Sequence, residues 1–440
     1  MSVTSPSKVP LATLDRFYIG GEWVVPSTDA TIDVVDPSTE EVFFRIAEAK
    51  DADVARAAGA ARDAFDSGPW PRMSHQERAT PTAGGEFGLL VREPVGVVGA
   101  IIPWNAPTFL IAYKLAPALI AGCTVVLKSS PEAPGEAYLV AEVAAAIGLP
   151  PGVLNVVTAD REASESLVRD PRVDKISFTG STAAGRRIAS ICGERIARCT
   201  LELGGKSAAV VLDDIDLAEV ADTLSAAACA NTGQVCSSLT RIVVSRSRHD
   251  ALVDALAAAF SQVRVGDPFD ASSQMGPLAM RRQRDRVEGL IAKGIAEGAR
   301  LVTGGGRPKD LDRGWYVEPT VFGDVDNAST IAREEIFGPV LSVIPADDES
   351  QAVEIANATI YGLNASVFTN DADRARAVAG RLRSGTVGHN AMRTDFGVAF
   401  GGFKQSGIGR EGGTIGLQAY LETKFVILNE IPSVYRTAGG

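Results

Sequence analysis

The chain has 440 residues, of which 45% are hydrophobic and 22% charged. This is typical of a globular protein with a large interior, and it is too long for a single core. The formal net charge of −11 argues against nucleic acid or an anionic membrane surface as the main partner. The sequence shows neither a run of about 18 apolar residues nor a basic segment followed by an apolar core at its start, so we expect a cytoplasmic protein of two or three domains.

Cysteine and histidine give little support for a disulfide framework or a metal site. No two cysteines form a C-x-x-C pair, an odd number cannot pair completely, and the three histidines lie in unrelated contexts. If the chain is an enzyme, its base is therefore more readily a carboxylate than an imidazole. The cysteines are Cys123, Cys192, Cys199, Cys229 and Cys236.

The first predicted elements are short. Strands are expected over 17–25 and 32–35, and an Ala-rich amphipathic helix over 51–65. Residues 72–78 then look like the opening of another helix, but Pro81 and Gly84 follow within a few positions and leave it no room.

From residue 95 onward, strands alternate with helices. The first series has strands over 95–102, 124–127, 153–157 and 175–178, with helices over 110–121 and 136–147. The second has strands over 208–212, 241–245, 341–344 and 365–368, with helices before Cys236, from Asp250, over 281–296 and near 352–358. Such alternation predicts an α/β fold with two Rossmann-like parallel-sheet domains. They join near Gly204 and Gly205, and a strand over 420–428 stands apart, free to pair with another element or another subunit.

One cysteine differs from the others in its surroundings. The helical pattern over 217–228 has one apolar face, so the stretch Asn231–Ser238 that follows is expected to be a loop held by a rigid helix. Within it, Gln234, Gly233 and two serines surround Cys236, which favours access and hydrogen bonding. The alternative is a small buried thiol, the default for a single cysteine.

Two segments are typical of anion binding. Thr179–Gly185 runs from a strand into a helix, with Gly180 for close backbone approach and Ser181 as a cap. Lys128 follows a buried-looking strand, where α/β folds bind nucleotides. The alternatives are a plain strand-to-helix turn and a solvated lysine, because the three-glycine dinucleotide fingerprint is missing.

A carboxylate and an amide complete the candidates. Glu202 lies between two leucines, and desolvation there would raise its pKa toward the range of a general base. It could equally be neutralised by Lys206 or cap the next element. Asn105, which Pro103 and Pro107 flank, could hold a developing oxyanion or be a turn asparagine.

Taken together, these segments resemble the aldehyde dehydrogenase superfamily over about residues 17–424. The resemblance implies oxidation of an aldehyde to a carboxylic acid with NAD(P)+, on a fold with a cofactor domain, a catalytic domain and a small oligomerisation strand element. Six motifs occur in the order that the family uses: Pro103–Asn105, Phe178–Ser181, Leu201–Lys206, Gly233–Cys236, Glu334–Pro339, and Phe400–Gly402 with Ser406–Glu411.

The resemblance assigns the chemistry to five residues. Cys236 looks like the nucleophile, whose thiolate attacks the aldehyde carbonyl to give a thiohemiacetal and then a thioester. The Asn105 amide and the Cys236 backbone N–H would hold the oxyanion, each worth on the order of 3 kcal/mol. Glu202 resembles the base that activates water against the thioester. Lys114 and Glu411 fall where the family can place proton-relay groups.

Cofactor and substrate residues follow from the same resemblance. Glu335 matches the carboxylate that binds the nicotinamide ribose, and Phe337 matches the ring packed near it. Gly180 and Ser181 match the pyrophosphate turn, and Lys128 the lysine at the adenine ribose. The remaining candidates are Ile101 and Trp104 for the cofactor, and Tyr113 and Phe400 for the aldehyde tunnel, although an aromatic is more often plain core.

The resemblance also implies an organisation and a set of partners. Residues 1–204 would form the cofactor-binding domain and 205–406 the catalytic domain, while 407–440 would return to the cofactor domain and supply the oligomerisation strand. The expected partners are a small-molecule aldehyde and further copies of the chain in a homodimer or homotetramer. No metal is implied.

One departure from the family concerns the cofactor. Relatives usually follow the lysine with Pro and, three residues on, often with a Glu that binds the ribose hydroxyls, but here Ser129 and Pro131 occupy those positions. Without that carboxylate a 2′-phosphate would meet less repulsion beside Lys128. We therefore expect NAD and leave NADP possible.

The larger departure lies between Glu77 and Gly85. Relatives carry two or three helices and the first strand of a hairpin here, about 40–60 residues that we expect to be absent. Those helices form part of the tunnel wall, so their loss should expose apolar surface and weaken oligomers. The rival function is a catalytically impaired scaffold that still binds nucleotide. A third, transfer of the thioester to coenzyme A, is disfavoured by Glu202 as a water-activating base.

Overall fold

The structure is a computed structural model that describes residues 11–68, 78–81, 87–395, 397–430 and 432, with side chains for all of these except 78–81 and 87. Residues 72–77 of the predicted helix opening lie outside this range. Among the described residues, no helix is both long and apolar enough to cross a membrane.

The first half of the chain builds one large sheet and its covering helices. Its elements are β1 (Phe17–Ile19), β2 (Glu22–Val24), β3 (Thr31–Val35), β4 (Val42–Ala47), α1 (Asp51–Ser67), β5 (Arg78–Pro81), β6 (Phe87–Pro94), β7 (Val97–Ile101), α2 (Pro107–Ala121), β8 (Thr124–Ser129), α3 (Gly135–Ala146), β9 (Leu154–Thr158), α4 (Arg161–Arg169), β10 (Lys175–Thr179), α5 (Thr182–Arg195) and β11 (Arg198–Glu202).

The second half builds another sheet and then returns. Its elements are β12 (Ser207–Val211), α6 (Leu217–Cys229), β13 (Leu239–Ser245), α7 (His249–Ser261), α8 (Arg281–Ala296), β14 (Arg300–Thr303), β15 (Thr320–Gly323), α9 (Thr330–Arg333), β16 (Val340–Ala346), α10 (Glu349–Asn357), β17 (Asn364–Phe368), α11 (Ala372–Ala379), β18 (Thr386–His389), β19 (Gly407–Ile408), α12 (Gly413–Gln418) and β20 (Leu421–Leu428).

Both large sheets are mainly parallel, which confirms the predicted α/β class. The first has the order β19-β11-β10-β7-β8-β9-β1-β2, and β1, β2 and β19 form its antiparallel edges. The second has the order β14-β15-β16-β13-β12-β17-β18, in which β14 alone runs antiparallel to its neighbour. The chain passes from one sheet to the other through residues 203–206.

Alternating side chains of the central strands supply two cores to the first sheet. Val97 and Ile101 of β7 pack with α1, α4 and α5, whereas Val98 and Ala100 pack with α2 and α3 on the other face. Because both faces are buried, these strands are almost wholly apolar, as parallel strands require. The second sheet is covered in the same way. Its strands form one apolar cluster with α6 and α7 and another with α10 and α11.

A three-stranded antiparallel sheet, β20-β6-β5, lies outside both layers. Strand β20 pairs with β6 from Leu421 opposite Pro94 to Leu428 opposite Phe87, so the isolated segment over 420–428 has its partner within the chain. Strand β5 pairs with β6 from Arg78 opposite Leu90. The expectation that the first strand of the hairpin is missing was therefore wrong, because a four-residue strand suffices to form it.

The N-terminal run over 17–25 also differs from the prediction of a single strand. Gly20 and Gly21 have φ of +65° and +84°, a conformation that reverses the chain. The run therefore forms the hairpin β1–β2, with Phe17 opposite Val24.

Candidate active site

The turn between the two sheets, residues 203–206, is the centre of the site. A Cβ on Gly204 would lie 2.3 Å from Glu335 Oε2, and a Cβ on Gly205 would lie 2.3 Å from the backbone oxygen of Cys236. Only glycine leaves room for both approaches. The turn therefore brings together the predicted nucleophile and the predicted ribose carboxylate, directly after Glu202.

The loop that carries Cys236 is sharply bent after α6. Asn231, Thr232 and Gly233 have φ of 50°, 55° and 71°, three consecutive residues in the left-handed region. For the two non-glycine residues this costs of order 1–3 kcal/mol each. The Thr232 hydroxyl lies 3.1 Å from the Gly276 oxygen and donates a hydrogen bond that helps to hold the bend. The strain fixes the direction in which the chain enters β13, just after Cys236.

The thiol of Cys236 is surrounded by acidic groups. Burial, with smaller contributions in the same direction from the carboxylates of Glu335 and Glu202, raises its pKa to about 12, while the backbone N–H groups of Cys236 and Ser237 act in the opposite direction. These N–H groups stabilise the thiolate form. The thiol is the only one of the five that shares its surroundings with two carboxylates of the predicted site.

Glu202 ends β11 and is 3% exposed. Neither of its carboxylate oxygens has a hydrogen-bond partner among the described residues. Burial raises its pKa well above the usual range, and the charge of Glu411 adds to this, while Lys114 and Arg410 lower it. A buried carboxylate without partners is costly to keep, and it is suited to accept a proton.

Lys114 and Glu411 form a buried ion pair on the buried side of α2. The Ser177 hydroxyl donates to Glu411 Oε1 over 3.2 Å, and the Tyr420 hydroxyl donates to Ser177 over 3.1 Å. Ser177 and Tyr420 were not predicted, because β10 and the residue before β20 meet only in the folded chain. Both candidate relay residues are thus fixed by a polar network.

Asn105 is tied to the nucleophile loop by reciprocal hydrogen bonds. Its Nδ2 donates to the Gln234 oxygen over 2.9 Å, and Asn231 Nδ2 donates to the Asn105 oxygen over 2.7 Å. An amide NH2 carries two hydrogens, so Asn105 keeps one for a further acceptor. The contact is made two residues before Cys236.

The predicted nicotinamide residues also meet. The Trp104 and Phe337 rings pack edge to face, with centroids 5.4 Å apart. Glu335 Oε1 accepts from the Gly205 N–H over 3.0 Å, and burial raises the pKa of this carboxyl to about 7. Gln283 was not predicted: its Nε2 donates to the Phe337 oxygen over 2.7 Å and holds that residue at φ 60°.

The predicted adenosine end lies at the carboxyl edge of the first sheet. Ile101 is the last residue of β7. Lys128 is the penultimate residue of β8, and burial there lowers its pKa to about 8. Glu132 partly reverses that effect, so a carboxylate does lie near Lys128. The position three residues after Lys128 is Pro131, but Glu132 follows it, and Ser130 and Arg282 hold its carboxylate by hydrogen bonds.

The predicted phosphate turn lies between β10 and α5. The Ser181 hydroxyl caps α5 by accepting from the Ala184 N–H over 3.3 Å, and the Gly180 N–H donates to the Glu202 backbone oxygen over 3.0 Å. The first turn of α5, which the structure describes completely, contains no acidic residue. A helix start of this kind favours a phosphate group.

The two predicted tunnel aromatics each adjoin a residue of the buried ion pair of Lys114 and Glu411. Tyr113 lies on α2 and stacks on Phe109, with ring centroids 6.2 Å apart. Phe400 pairs with Glu411 through two backbone hydrogen bonds of 2.6 and 2.8 Å, directly before α12. Tyr113 therefore directly precedes Lys114 in the chain, and Phe400 is paired with Glu411.

Comparison with known proteins identifies the family. The model of the Aldehyde dehydrogenase family matches residues 23–81 and 79–426, which together span most of the chain. The chain belongs to the aldehyde dehydrogenase family. It is therefore an enzyme of the oxidoreductase class that acts on aldehydes.

Individual aldehyde dehydrogenases are similar over almost their whole length. A geranial dehydrogenase from Castellaniella defragrans is 43% identical, over 94% of this chain and 99% of its own. An aldehyde dehydrogenase from Mycobacterium tuberculosis, solved with NAD+, is 42% identical with a TM-score of 0.92, over 94% of this chain and 98% of that one. A mutant of aldehyde dehydrogenase C from Pseudomonas syringae, solved with NAD+ and octanal, is 37% identical with a TM-score of 0.92, over 98% and 100%.

The comparisons also locate the missing segment. The alignment with the geranial dehydrogenase extends over 477 positions, more than the 440 residues of this chain. The two matches to the family model meet at 79–81. The relative therefore contains internal residues that this aldehyde dehydrogenase lacks, and the interruption falls within the predicted interval.

Proposed function

We propose that the protein oxidises an aldehyde to the carboxylic acid with NAD+, with Cys236 as nucleophile and Glu202 as base. The observation that supports this most directly is the turn over residues 203–206, against which both the Cys236 backbone and Glu335 pack, immediately after a buried Glu202 whose carboxylate has no described hydrogen-bond partner. A base, a thiol and a ribose-binding carboxylate around one turn form the constellation that the reaction needs.

In the first half of the reaction, the Cys236 thiolate bonds through Sγ to the aldehyde carbon, and the electron pair of the broken carbonyl π bond moves to the oxygen, which becomes an oxyanion. The second hydrogen of the Asn105 amide and the Cys236 N–H stabilise that charge. Bound NAD+ would supply the hydride acceptor, and loss of the aldehyde hydrogen as hydride would leave a thioester on Cys236.

In the second half, water attacks the thioester carbon. Glu202 takes one proton of the water, the carbon–sulfur bond breaks with its electron pair going to sulfur, and the carboxylic acid leaves with Cys236 returned to the thiolate form. The raised pKa of Glu202 makes it a stronger base than an exposed carboxylate. Lys114 and Glu411, with Ser177 and Tyr420 behind them, then form the polar route by which the proton leaves the site.

NAD fits the described residues better than NADP. Glu335 and the Trp104–Phe337 ring pair would hold the nicotinamide riboside, the start of α5 with Gly180 and Ser181 the pyrophosphate, and Lys128 with Ile101 the adenosine end. Glu132 near Lys128 would repel a 2′-phosphate. The relatives from Mycobacterium tuberculosis and Pseudomonas syringae, both solved with NAD+, support the same choice.

We assign residues 1–204 to cofactor binding and 205–406 to catalysis, with 407–440 returning to the first sheet. The pairing of Gly407 with Glu202 supports this division, because it places β19 on the edge of the first sheet. Strand β20 exposes about half of Phe425 and Ile427, and we infer that its sheet is the contact surface of a homodimer or homotetramer. A monomer at micromolar concentration in light scattering would contradict that inference.

Single-turnover NADH formation tests the catalytic proposal. Purified protein mixed with NAD+ and a panel of aliphatic and aromatic aldehydes should give a burst equal to the active-site concentration, and Cys236→Ala should abolish it. Cys229→Ala is the matched control, because Cys229 is buried at the end of α6 and has no proposed role. Absence of a burst from folded wild-type protein that still binds NAD+ would refute the proposal and favour a nucleotide-binding scaffold.

A further inference from the structure

An apolar cleft of about 470 Å³ lies between α2 and α12. The α2 wall includes Phe109, Tyr113 and Ile120, and Phe109 and Ile120 are 55% and 67% exposed. The α12 wall includes Thr414 and Leu417. Exposed apolar side chains on successive turns of one helix form a continuous stripe, and such stripes mark binding surfaces.

The volume and chemistry of the cleft fit a small molecule. Ligand sites in proteins occupy about 300–1,000 Å³ and have mostly apolar linings. None of the described lining residues carries a charge, and the hydroxyls of Tyr113 and Thr414 are the polar side-chain groups among them. Small residues, Ala112 on α2 and Gly412 on the facing wall, keep the floor of the cleft open.

Both walls of the cleft continue into the catalytic site. Helix α2 begins two residues after Asn105, whose amide contacts the loop of Cys236. The α12 wall follows Glu411, which pairs with Lys114 on the buried side of α2. A substrate whose carbonyl lies between Asn105 and Cys236 can therefore extend its tail along α2 into the cleft.

We propose that this cleft selects aldehydes with long apolar tails. The inference rests on the proposed function, since it places the tail of the substrate whose carbonyl Cys236 attacks. Pro117 lies inside α2 and lines the cleft, and its ring nitrogen cannot donate to the Tyr113 carbonyl one turn earlier. The tail gains free energy by leaving water, at no cost in buried polar groups.

The chain-length dependence of kcat/KM tests the proposal. A fully buried methylene improves binding about fourfold and a half-buried one about twofold. From butanal to decanal, kcat/KM should therefore rise by roughly 60-fold or more. Equal values for the two aldehydes would overturn the proposal, whereas failure to oxidise either one would count against the proposed function instead.

A charge introduced into the cleft tests binding of the substrate tail separately from reaction of the carbonyl. Ala112 is exposed and lies about 7 Å along α2 from its start, within reach of a decanal tail. Ala112→Glu should lower kcat/KM for decanal at least tenfold and leave butanal within about threefold. Ala145→Glu, the same change at an exposed position of α3 outside the cleft, should behave as wild type.

A binding measurement keeps the test independent of turnover. Isothermal titration calorimetry with 1-decanol and 1-butanol, which are neutral and lack the reactive carbonyl, should show tighter binding of decanol to wild type and Ala145→Glu, and loss of that preference in Ala112→Glu. Equal affinities for the two alcohols in wild type would refute the cleft as the tail site, even in a protein with full activity.

Discussion

Replacing Glu202 by Gln tests the most specific part of the proposed mechanism. The amide keeps the shape of the side chain at the end of β11 and removes its charge and its basicity. A positioned general base contributes about 10²–10⁴ in rate, so hydrolysis of the thioester should slow by that factor. Formation of the thioester precedes the attack of water, so the first-turnover NADH should still equal one per active site.

The same substitution has a predictable effect on stability. Burial and the charge of Glu411 raise the pKa of Glu202 in the folded state, so the folded protein loses stability as the pH rises from the ordinary value of the carboxyl toward the raised one. Glu202→Gln removes that loss. Its melting temperature should therefore exceed that of wild type at pH 8 and approach it near pH 4.

Rapid-mixing absorbance at 340 nm and thermal unfolding together decide the outcome. Glu93→Gln provides a control, since Glu93 is an exposed carboxylate that pairs with Lys424 far from the turn. A Glu202→Gln protein whose steady-state rate stays within tenfold of wild type would refute the assignment of the base. A folded variant without any burst would show that Glu202 acts before the thioester forms.

Two further predictions concern cofactor choice and buried charge. Glu132→Gln should raise the ratio of kcat/KM for NADP+ to that for NAD+ about tenfold, because the repulsion of a 2′-phosphate beside Lys128 is removed; steady-state kinetics with both cofactors would show an unchanged ratio if Glu132 does not face the ribose. Burial lowers the pKa of Lys206 to about 7, and its Nζ has no hydrogen-bond partner among the described residues, so wild type gains stability as the pH rises from about 7 to 10.5. Lys206→Met should therefore raise the free energy of unfolding by about 2–4 kcal/mol at pH 7 and by much less at pH 10. Urea unfolding at the two pH values measures this, and an equal gain at both would contradict the reasoning.

Periodicity alone predicted most of the fold. The helix over 281–296 has the predicted bounds, because its apolar positions recur regularly within a charged sequence. Helix α4 was missed, since it has nine residues and its start is set by a single capping aspartate, Asp160. Strand β11 was missed because it begins with the charged, exposed Arg198 and lacks both alternation and a full apolar run.

The candidate site was predictable where a residue type and its immediate neighbours suffice. The neighbours of Cys236 and Glu202 made them candidates, with a buried thiol and a neutralised or capping carboxylate as the alternatives, and the resemblance to the family selected the catalytic roles. Glu132 was not considered because only the position three residues after Lys128 was compared, although the next residue of a loop can also place a carboxylate near the lysine. Ser177 and Gln283 act through contacts between distant segments, which no local pattern contains.

The turn over residues 203–206 limits how the enzyme can be redesigned. Its two glycines lie against the Cys236 backbone and Glu335, and Glu202, the proposed base, directly precedes the turn, so a shift of the turn would disturb the proposed attack, cofactor binding and hydrolysis together. An engineer who wants to pass the acyl group to an amine or a thiol, instead of water, must therefore leave the backbone alone. The practical choice is a change of the Glu202 side chain itself.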